Sequence, residues 1–474
     1  MKTFDALKAL QKAGREDGHI GASVYIVGGF VRDLLRNKVN DDLDIVATGL
    51  PMEYIRKFLS KYGKIKEVVL SKSNDNISVM ILLFRGEDDK EAQISLPRKG
   101  KLQEYSESYK IKHDVKSRDF KLNSLYLPIN YKSKKEVIDM VGGRQDIVNR
   151  TISANGSPNE RLKESPIRML RAVSLAARTE YRIEDSLLNS IIRNAPLIKR
   201  CPPEAIRIEF NKILLSRRPS KYIKLLHKTG LLQLFAPEIA SCYGVRQDKK
   251  YHKYDVFTHI IYTCEMCPPT LLLRMAGLLH DIGKPLTRRE DREAGRTTFH
   301  KHEIVSTKLA KKFLTRLRYD NTFVDEVLHL VGLHMYHYTR EWTAGATRKF
   351  IKRAKISDEF LSEDKISDFP LFILRMSERK GNGLKEMSIT DRQRDFERKL
   401  VELYRKSPVT EIKSLDIDGY IIMDKLQLGP GKEIGKILGY LLDRVVEDPE
   451  LNEKEKLLEL AKEYVDNEKE GHEK

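Results

Sequence analysis

The chain has 474 residues, 40% hydrophobic and 33% charged, with a net charge of +18 and a sequence pI of about 9.4. At roughly one domain per ~150 residues it has room for about three domains with real cores under a heavily charged surface. A charge this positive points to a polyanionic partner, nucleic acid before an anionic membrane surface. No apolar run approaches the ~18 residues of a spanning helix. The opening MKTFDALKALQKAGRED has no apolar signal core, so a cytoplasmic protein is expected. Four cysteines in a chain this long make no disulfide framework.

In chain order, residues from about 20 to 150 read as mixed α/β. Strands are predicted at SVYIVGG, DLDIVATG, ISVMILLF and AQISLP, which are rich in β-branched residues and bounded by Gly, Asp and Pro. Near Arg150 the apolar spacing turns helical, as in IRMLRAVSLAAR and AIRIEFNKILL. No strand is expected after about residue 155, and the charged end DNEKEGHEK is expected to fray.

The stretch VYIVGGFVRDLLRNKVNDDLDIVATG, Val24–Gly49, carries the first chemistry. Residues i and i+2 of a strand share a face, so Asp42 and Asp44 present two carboxylates side by side. Like charges that close repel unless a cation sits between them, and a pair of Mg²⁺ ions bridging carboxylates and phosphate oxygens supplies it. Gly28 and Gly29 fall at a strand-to-helix turn, where backbone N–H groups approach a phosphate, and Arg32 sits in the first turn beyond.

GGFVRD followed by the two acids resembles the head of the class II tRNA nucleotidyltransferase and bacterial poly(A) polymerase family. Collinear stretches extend the resemblance: HDVKSRDFKLNSLY, EVIDMVGGRQDIVNRTI, ESPIRMLRAVSLAAR and the neck-like PEAIRIEFNKILL. It implies attack of a tRNA 3′-hydroxyl on the α-phosphate of a nucleoside triphosphate. Asp42 and Asp44 match the Mg²⁺-binding catalytic pair. Gly28, Gly29, Arg32, Arg118, Asp119, Asn123, Ser165, Arg168 and Arg171 match nucleotide-binding positions. Arg168 and Arg171, at i and i+3 of the nucleotide-selecting helix, are both expected to face the nucleotide.

The base-reading layer departs from the family pattern. Ser165 stands where an aspartate is usual and Ser174 where an arginine is usual. Ser117 and Lys121 replace an arginine and a threonine, and Gln93 replaces a third acid found in related heads.

Downstream, His259, His280-Asp281, His302 and His334 form an ordered set that can gather around a divalent metal. The HDIGKP run resembles an HD domain, the fold of metal-dependent phosphohydrolases, and Glu378 in LRMSE offers a carboxylate where LRxAD is usual. A second divalent metal is therefore expected there. Lys301 precedes His302 where glycine is common. Cys264 and Cys267 read as buried helix cysteines rather than a zinc site, since no second CxxC exists. LGPGKEIGKIL reads as a loop and helix cap, not a P-loop, because Glu433 follows Gly-Lys. The basic runs at Lys311–Arg318 and Thr347–Lys355 are open to solvated faces or RNA phosphate contacts.

The expected fold is α+β: a nucleotidyltransferase head with a mixed sheet, polymerase-β-like, over 1–150, then an all-α neck (151–245), an HD domain (246–345) and a helical tail (346–474). The expected function is template-independent addition or repair of the tRNA 3′-CCA from CTP and ATP. The expected macromolecular partner is the tRNA 3′ end and acceptor arm, with no membrane partner. Alternatives in the family are a CC-adding or A-adding enzyme or a poly(A) polymerase. Outside it stand an HD metal phosphohydrolase with a nucleotide-binding head, and a non-catalytic RNA-binding protein.

Overall fold

A computed structural model describes the chain apart from residues 70, 71, 74, 75, 78, 79, 100–103, 106–108, 249, 251, 292–295, 340, 341, 385–389, 407–411, 473 and 474. It forms two compact units, Met1–Pro237 and Glu238–Lys474.

The first unit starts with helices α1 (Thr3–Glu16), α2 (Gly29–Leu35) and α3 (Met52–Leu59) around a seven-stranded sheet. Its strands are β1 (Ser23–Val27), β2 (Leu43–Thr48), β3 (Lys64–Val69), β4 (Met80–Arg85), β5 (Glu91–Ser95), β6 (Leu125–Pro128) and β7 (Ile138–Asp139). They lie in the order β7-β6-β1-β2-β5-β4-β3. Only β2 and β5 pair in parallel, so the sheet is mixed. Strand alternation assigns the two faces. Val24, Ile26, Ile45 and Ile94 join Leu7, Leu10 and Ile55 in the main core. Val27, Val46 and Tyr126 form a smaller cluster on the opposite face with Val115 of α4 (Ile111–Ser117). Asp44, two residues before Val46 and paired with Val27 in register, belongs to that second face.

Beyond α5 (Gly143–Val148) the unit is helical: α6 (Pro158–Glu164), α7 (Arg168–Thr179), α8 (Asp185–Asn194), α9 (Pro203–Leu214), α10 (Pro219–Lys228) and α11 (Leu231–Phe235). Ala172, Val173 and Ala176 bury one side of α7, which packs on α9.

The second unit opens within α12 (Pro237–Ala240) and continues through α13 (Val256–Met266), α14 (Leu271–Leu279), α15 (Lys284–Thr287), α16 (His302–Arg316), α17 (Asn321–Leu333), α18 (Ala344–Ala354) and α19 (Pro370–Asn382). It closes with α20 (Asp391–Lys406), α21 (Gly419–Leu426), α22 (Lys432–Glu447) and α23 (Lys454–His472). Tyr336, Phe350, Phe372 and Phe396 anchor an aromatic core, and Ile422, Ile437, Leu441 and Leu457 anchor a separate one under the last helices.

Several expectations need correction. Strands do occur after residue 155: Arg182–Ile183 pairs with Thr151–Ile152, and Arg288–Asp291 pairs with Arg296–Phe299. The closing charged run stays helical to His472, and residues 473 and 474 lie outside the described residues. Residues 78 and 79 of the ISVMILLF run also lie outside them, and the strand described there starts at Met80. The basic run Thr347–Lys355 is largely tied inside its own unit. Arg348 Nε donates to the Val446 carbonyl at 2.9 Å, and Lys352 pairs with Asp443 at 2.6 Å. Arg316 of the other basic run makes two bonds to the Glu238 carboxylate, at 2.8 and 2.6 Å. Cys264 and Cys267 are buried, and burial pushes the Cys267 thiol up to about 11.

Candidate active site

Strand β1 ends at Val27 and the chain turns at Gly28, with φ 70° and ψ −133°, into α2. A side chain at Gly28 would place its Cβ 3.0 Å from Asp44 Oδ2. The glycine therefore serves two needs at once, a backbone conformation that L side chains rarely adopt and clearance beside a carboxylate. Asp42 is exposed just before β2, and Asp44 lies on the strand facing Gln93 across the parallel pairing.

A cavity of about 390 Å³ brings Gly28, Gly29, Arg32, Asp42, Asp44, Arg118, Asp119, Asn123 and Arg171 to one surface. Two adjacent carboxylates with an open glycine turn beside them are hard oxygen donors suited to Mg²⁺ and a phosphate chain. Around them the cations are held in fixed poses. Arg32 is buried and forms a two-pronged pair with Asp33, at 3.0 and 2.6 Å, while Nη1 donates to Asn123 at 2.8 Å. Burial works against ionised Asp33, but Arg32, Asn40 and Arg36 outweigh it and hold the carboxyl below its ordinary range. Arg118 Nε donates to Asp114 Oδ2 and to the Tyr126 hydroxyl, both at 2.8 Å. Burial alone would lower the Arg118 guanidinium; Asp114 and Tyr126 raise it.

The selecting helix splits the two predicted arginines. Arg171 faces the cavity, donates to Asp119 at 2.9 Å and lies 3.9 Å from Glu209. Its charge holds Asp119 low against burial. Ser165 and Arg168 are not brought into the cavity lining. Arg168 is the first residue of α7, and its guanidinium reaches back to Glu164 at 3.1 Å, Arg161 O at 2.9 Å and Ser117 O at 3.0 Å. Ser174 does line the cavity, and its hydroxyl bonds the Glu209 carboxylate.

Sequence reading missed Leu175 and three charged members, Arg178, Glu209 and Lys212. Arg178 stands seven residues from Arg171, a helical-face signal that could have found it. Glu209 and Lys212 belong to α9, and only the packing of α9 on α7 brings them in.

The second unit gathers all six predicted HD residues. His259, His280 and Glu378 form one group and Asp281, His302 and His334 another, each with ligand atoms within 4.8 Å of one another. Around Glu378, burial is outweighed by His280, His259 and His334, and the carboxyl is held at about 2. Imidazole and carboxylate donors in such a cluster suit a divalent transition metal.

A mixed sheet carrying two acids beside a glycine turn, with arginines converging on one cavity, defines a nucleotidyltransferase. The comparisons with known proteins agree. Residues 24–153 match the "Poly A polymerase head domain", 180–243 the "Probable RNA and SrmB- binding site of polymerase A", 260–397 the "HD domain" and 382–461 "tRNA nucleotidyltransferase domain 2". The chain is 29% identical over 343 residues to an A-adding tRNA nucleotidyltransferase of Deinococcus radiodurans, covering 70% of this chain and 75% of that one. It is 24% identical over 454 residues to a CCA-adding enzyme of Enterococcus faecalis, covering 94% of each. The crystal structure of the Bacillus stearothermophilus CCA-adding enzyme in complex with CTP shares the fold, with TM-score 0.65 at 19% identity over 99% of this chain and 100% of that one. The chain belongs to the class II tRNA nucleotidyltransferase and bacterial poly(A) polymerase family with an HD domain. Among its described residues no helix is long and apolar enough to cross a membrane.

Proposed function

We propose that this chain is a cytoplasmic, template-independent tRNA nucleotidyltransferase that adds or repairs the 3′-terminal CCA from CTP and ATP. The observation that carries the reading is the joint lining of one cavity by Asp42, Asp44, the Gly28-Gly29 turn and four arginines. The near full-length kinship with a CCA-adding enzyme supports it. The head spans 1–150, the neck 151–245, the HD domain 246–345 and a tRNA-binding tail 346–474.

The tRNA 3′-oxygen attacks the α-phosphorus, and the bond to the pyrophosphate oxygen breaks. Asp42 and Asp44 would hold Mg²⁺, which when bound neutralises phosphate charge and makes the attacking hydroxyl more acidic. Backbone N–H groups at the Gly28-Gly29 turn bind the phosphates, aided by the start of α2. Arg32, locked by Asp33 and Asn123, presents its charge to them without rearranging. Arg118 and Asp119 flank the ribose and triphosphate, and Arg171 completes the cationic wall. Ser165, at the turn before α7, and Arg168, the first residue of α7, are the candidate base contacts. Arg168 must first release one of the two backbone carbonyls it holds.

A narrower reading, addition of A alone, is favoured by kinship with the A-adding enzyme. Supplying tRNAs ending before CCA, after CC and after CCA with each triphosphate, then sequencing the ends, separates the two. Full CCA confirms the proposal, and only a final A indicates the narrower reading. Stopping after CC, or long A tails, points to a CC-adding enzyme or a poly(A) polymerase. No incorporation with any combination overturns nucleotidyl transfer.

A further inference from the structure

In the first unit, the sheet face that bears Asp44 carries more than the transfer cavity. The parallel register sets Asp44 opposite Gln93 and Val46 opposite Ser95, so strand alternation turns Gln93 and Ser95 to the same face as Asp44. A second cavity of about 320 Å³ lies there, lined from β1, β2, β4 and β5 and from the end of α4. Asp44, Gln93, Arg118 and Arg171 line both cavities. Among the described residues the Gly28-Gly29 turn and Arg32 line only the first, and Ser95 and Asp114 only the second.

The division fits the two ends of one displacement. Entering and leaving oxygens stand roughly in line across the α-phosphorus. With the pyrophosphate at the glycine turn and Arg32, the entering hydroxyl has to come from the side of Asp44 that those residues leave open, which is the second cavity. Its volume is at the lower end of ligand pockets, ~300–1,000 Å³, so it has room for one nucleoside rather than a stem. Gln93 is exposed, and its carboxamide makes no side-chain hydrogen bond among the described residues. Ser95 Oγ donates to the Ile45 carbonyl at 3.3 Å, which leaves its lone pairs free to accept. Asp114 is already taken up by Arg118 and the Tyr126 hydroxyl, so it fixes Arg118 and is not open to a ligand. A carboxylate at position 93 could only accept, whereas the carboxamide can also donate to a ribose oxygen.

We propose that the second cavity seats the 3′-terminal nucleoside of the acceptor strand and that Gln93 holds its ribose by the 2′-hydroxyl, so that strands ending in a ribonucleotide are used in preference to strands ending in a deoxyribonucleotide. The inference rests on the transfer reading above and names the residues that receive its second substrate. The Gln93 amide N–H donates to the 2′-oxygen, and the 2′-hydroxyl hydrogen is left for the Ser95 oxygen. This contact turns the neighbouring 3′-oxygen toward Asp44. In the step it serves, the 3′-oxygen forms its bond to the α-phosphorus and the bond to the pyrophosphate oxygen breaks with its electron pair. The hydroxyl proton passes to water, because a neutral carboxamide does not take it.

The test gives the full chain CTP and ATP with acceptor-stem minihelices ending before CCA or after CC, each made with a ribose or a 2′-deoxyribose at its last nucleotide. The deoxy substitution should lower wild-type kcat/KM for the minihelix by about 3-fold to 10-fold, the range of one neutral hydrogen bond. In Gln93→Ala, which has already lost the contact, it should cost less than about twofold. The KM for triphosphate in that variant should stay within about twofold of wild type. No deoxy effect in the wild type, or equal losses in both proteins, overturns the Gln93 contact; a merely structural role for Gln93 would give equal losses. Ser95→Leu, which fills the cavity, should raise the minihelix KM at least ~10-fold at an unchanged triphosphate KM. An unchanged minihelix KM overturns the assignment of the cavity. Gln93 is exposed, so its arm decides the proposal even where Ser95→Leu does not fold. Wild type that transfers to no acceptor overturns nucleotidyl transfer itself, whereas transfer with equal deoxy losses overturns this inference alone.

Discussion

Replacing Gly28 by alanine tests how tightly the glycine turn and the metal-binding acid are coupled. The new Cβ would lie 3.0 Å from Asp44 Oδ2 and 3.9 Å from its Cβ and Cγ, on a backbone with φ +70°. Holding a side chain in that conformation costs about 1–3 kcal/mol. At about 2–4 °C per kcal/mol for a unit of this size, the melting temperature of the first unit should fall by about 2–12 °C. The close contact must also be relieved by moving Asp44 a few tenths of an ångström. Since a 1 Å misplacement can cost about 10²-fold, single-turnover incorporation should fall by about 10-fold to 10²-fold. Binding of tRNA, measured by filter retention on the same preparation, should stay near wild type. Gly429→Ala is the control, because no atom lies within 4 Å of its added Cβ. If Gly28→Ala transfers within about twofold of wild type and melts unchanged, the coupling of turn and acid is wrong.

Asp33→Asn should destabilise the first unit by about 3–5 kcal/mol, because it leaves buried Arg32 without its counter-charge. The folded Asp33 carboxyl is held below its unfolded value of about 3.9, so its contribution is complete above about pH 4 and fades as pH falls through the folded value. Unfolding titrations should show the variant missing that acid-side slope; an unchanged slope would refute the pairing. Arg171→Ala should raise the KM for triphosphate by about 10-fold to 10²-fold, the range of one lost charged hydrogen bond, with a smaller effect on kcat; a purely structural role would instead lower kcat and stability together. A thiol reagent at pH 8 should leave Cys264 and Cys267 unmodified in the folded chain and reach all four cysteines once it is unfolded, since burial raises both of these thiols. Rapid labelling of either in the folded chain would contradict their packing.

What the sequence made legible was local. The Gly28-Gly29 turn and the Asp42–Asp44 spacing lie within one stretch, and HDIGKP announces its own turn. The missed strand β3 reads KIKEVV because among the described residues it is a sheet edge, paired on one side only, so its charges stay wet. Strand β6 is four residues long and its buried residues run consecutively, leaving no alternation to read. The Arg288–Asp291 strand is entirely charged and is set by its antiparallel partner rather than by any apolar face. Arg168 and Arg171 share a helical face by spacing. Side chains of a helix lean toward its N-terminus, and at the first position that carries Arg168 back over Glu164 and away from the cavity. Glu209 and Lys212 enter from α9, and such long-range placement carries no local motif.

The most direct measurement is single-turnover incorporation of labelled CTP and ATP into a tRNA lacking CCA, by the wild-type chain and by Asp44→Ala, with tRNA affinity measured on the same samples. The account predicts C, C and A added in order by the wild type. It predicts a loss of at least ~10³-fold in Asp44→Ala, comparable to about 4 kcal/mol of transition-state stabilisation, with tRNA affinity within about threefold. Undiminished incorporation by Asp44→Ala would contradict it.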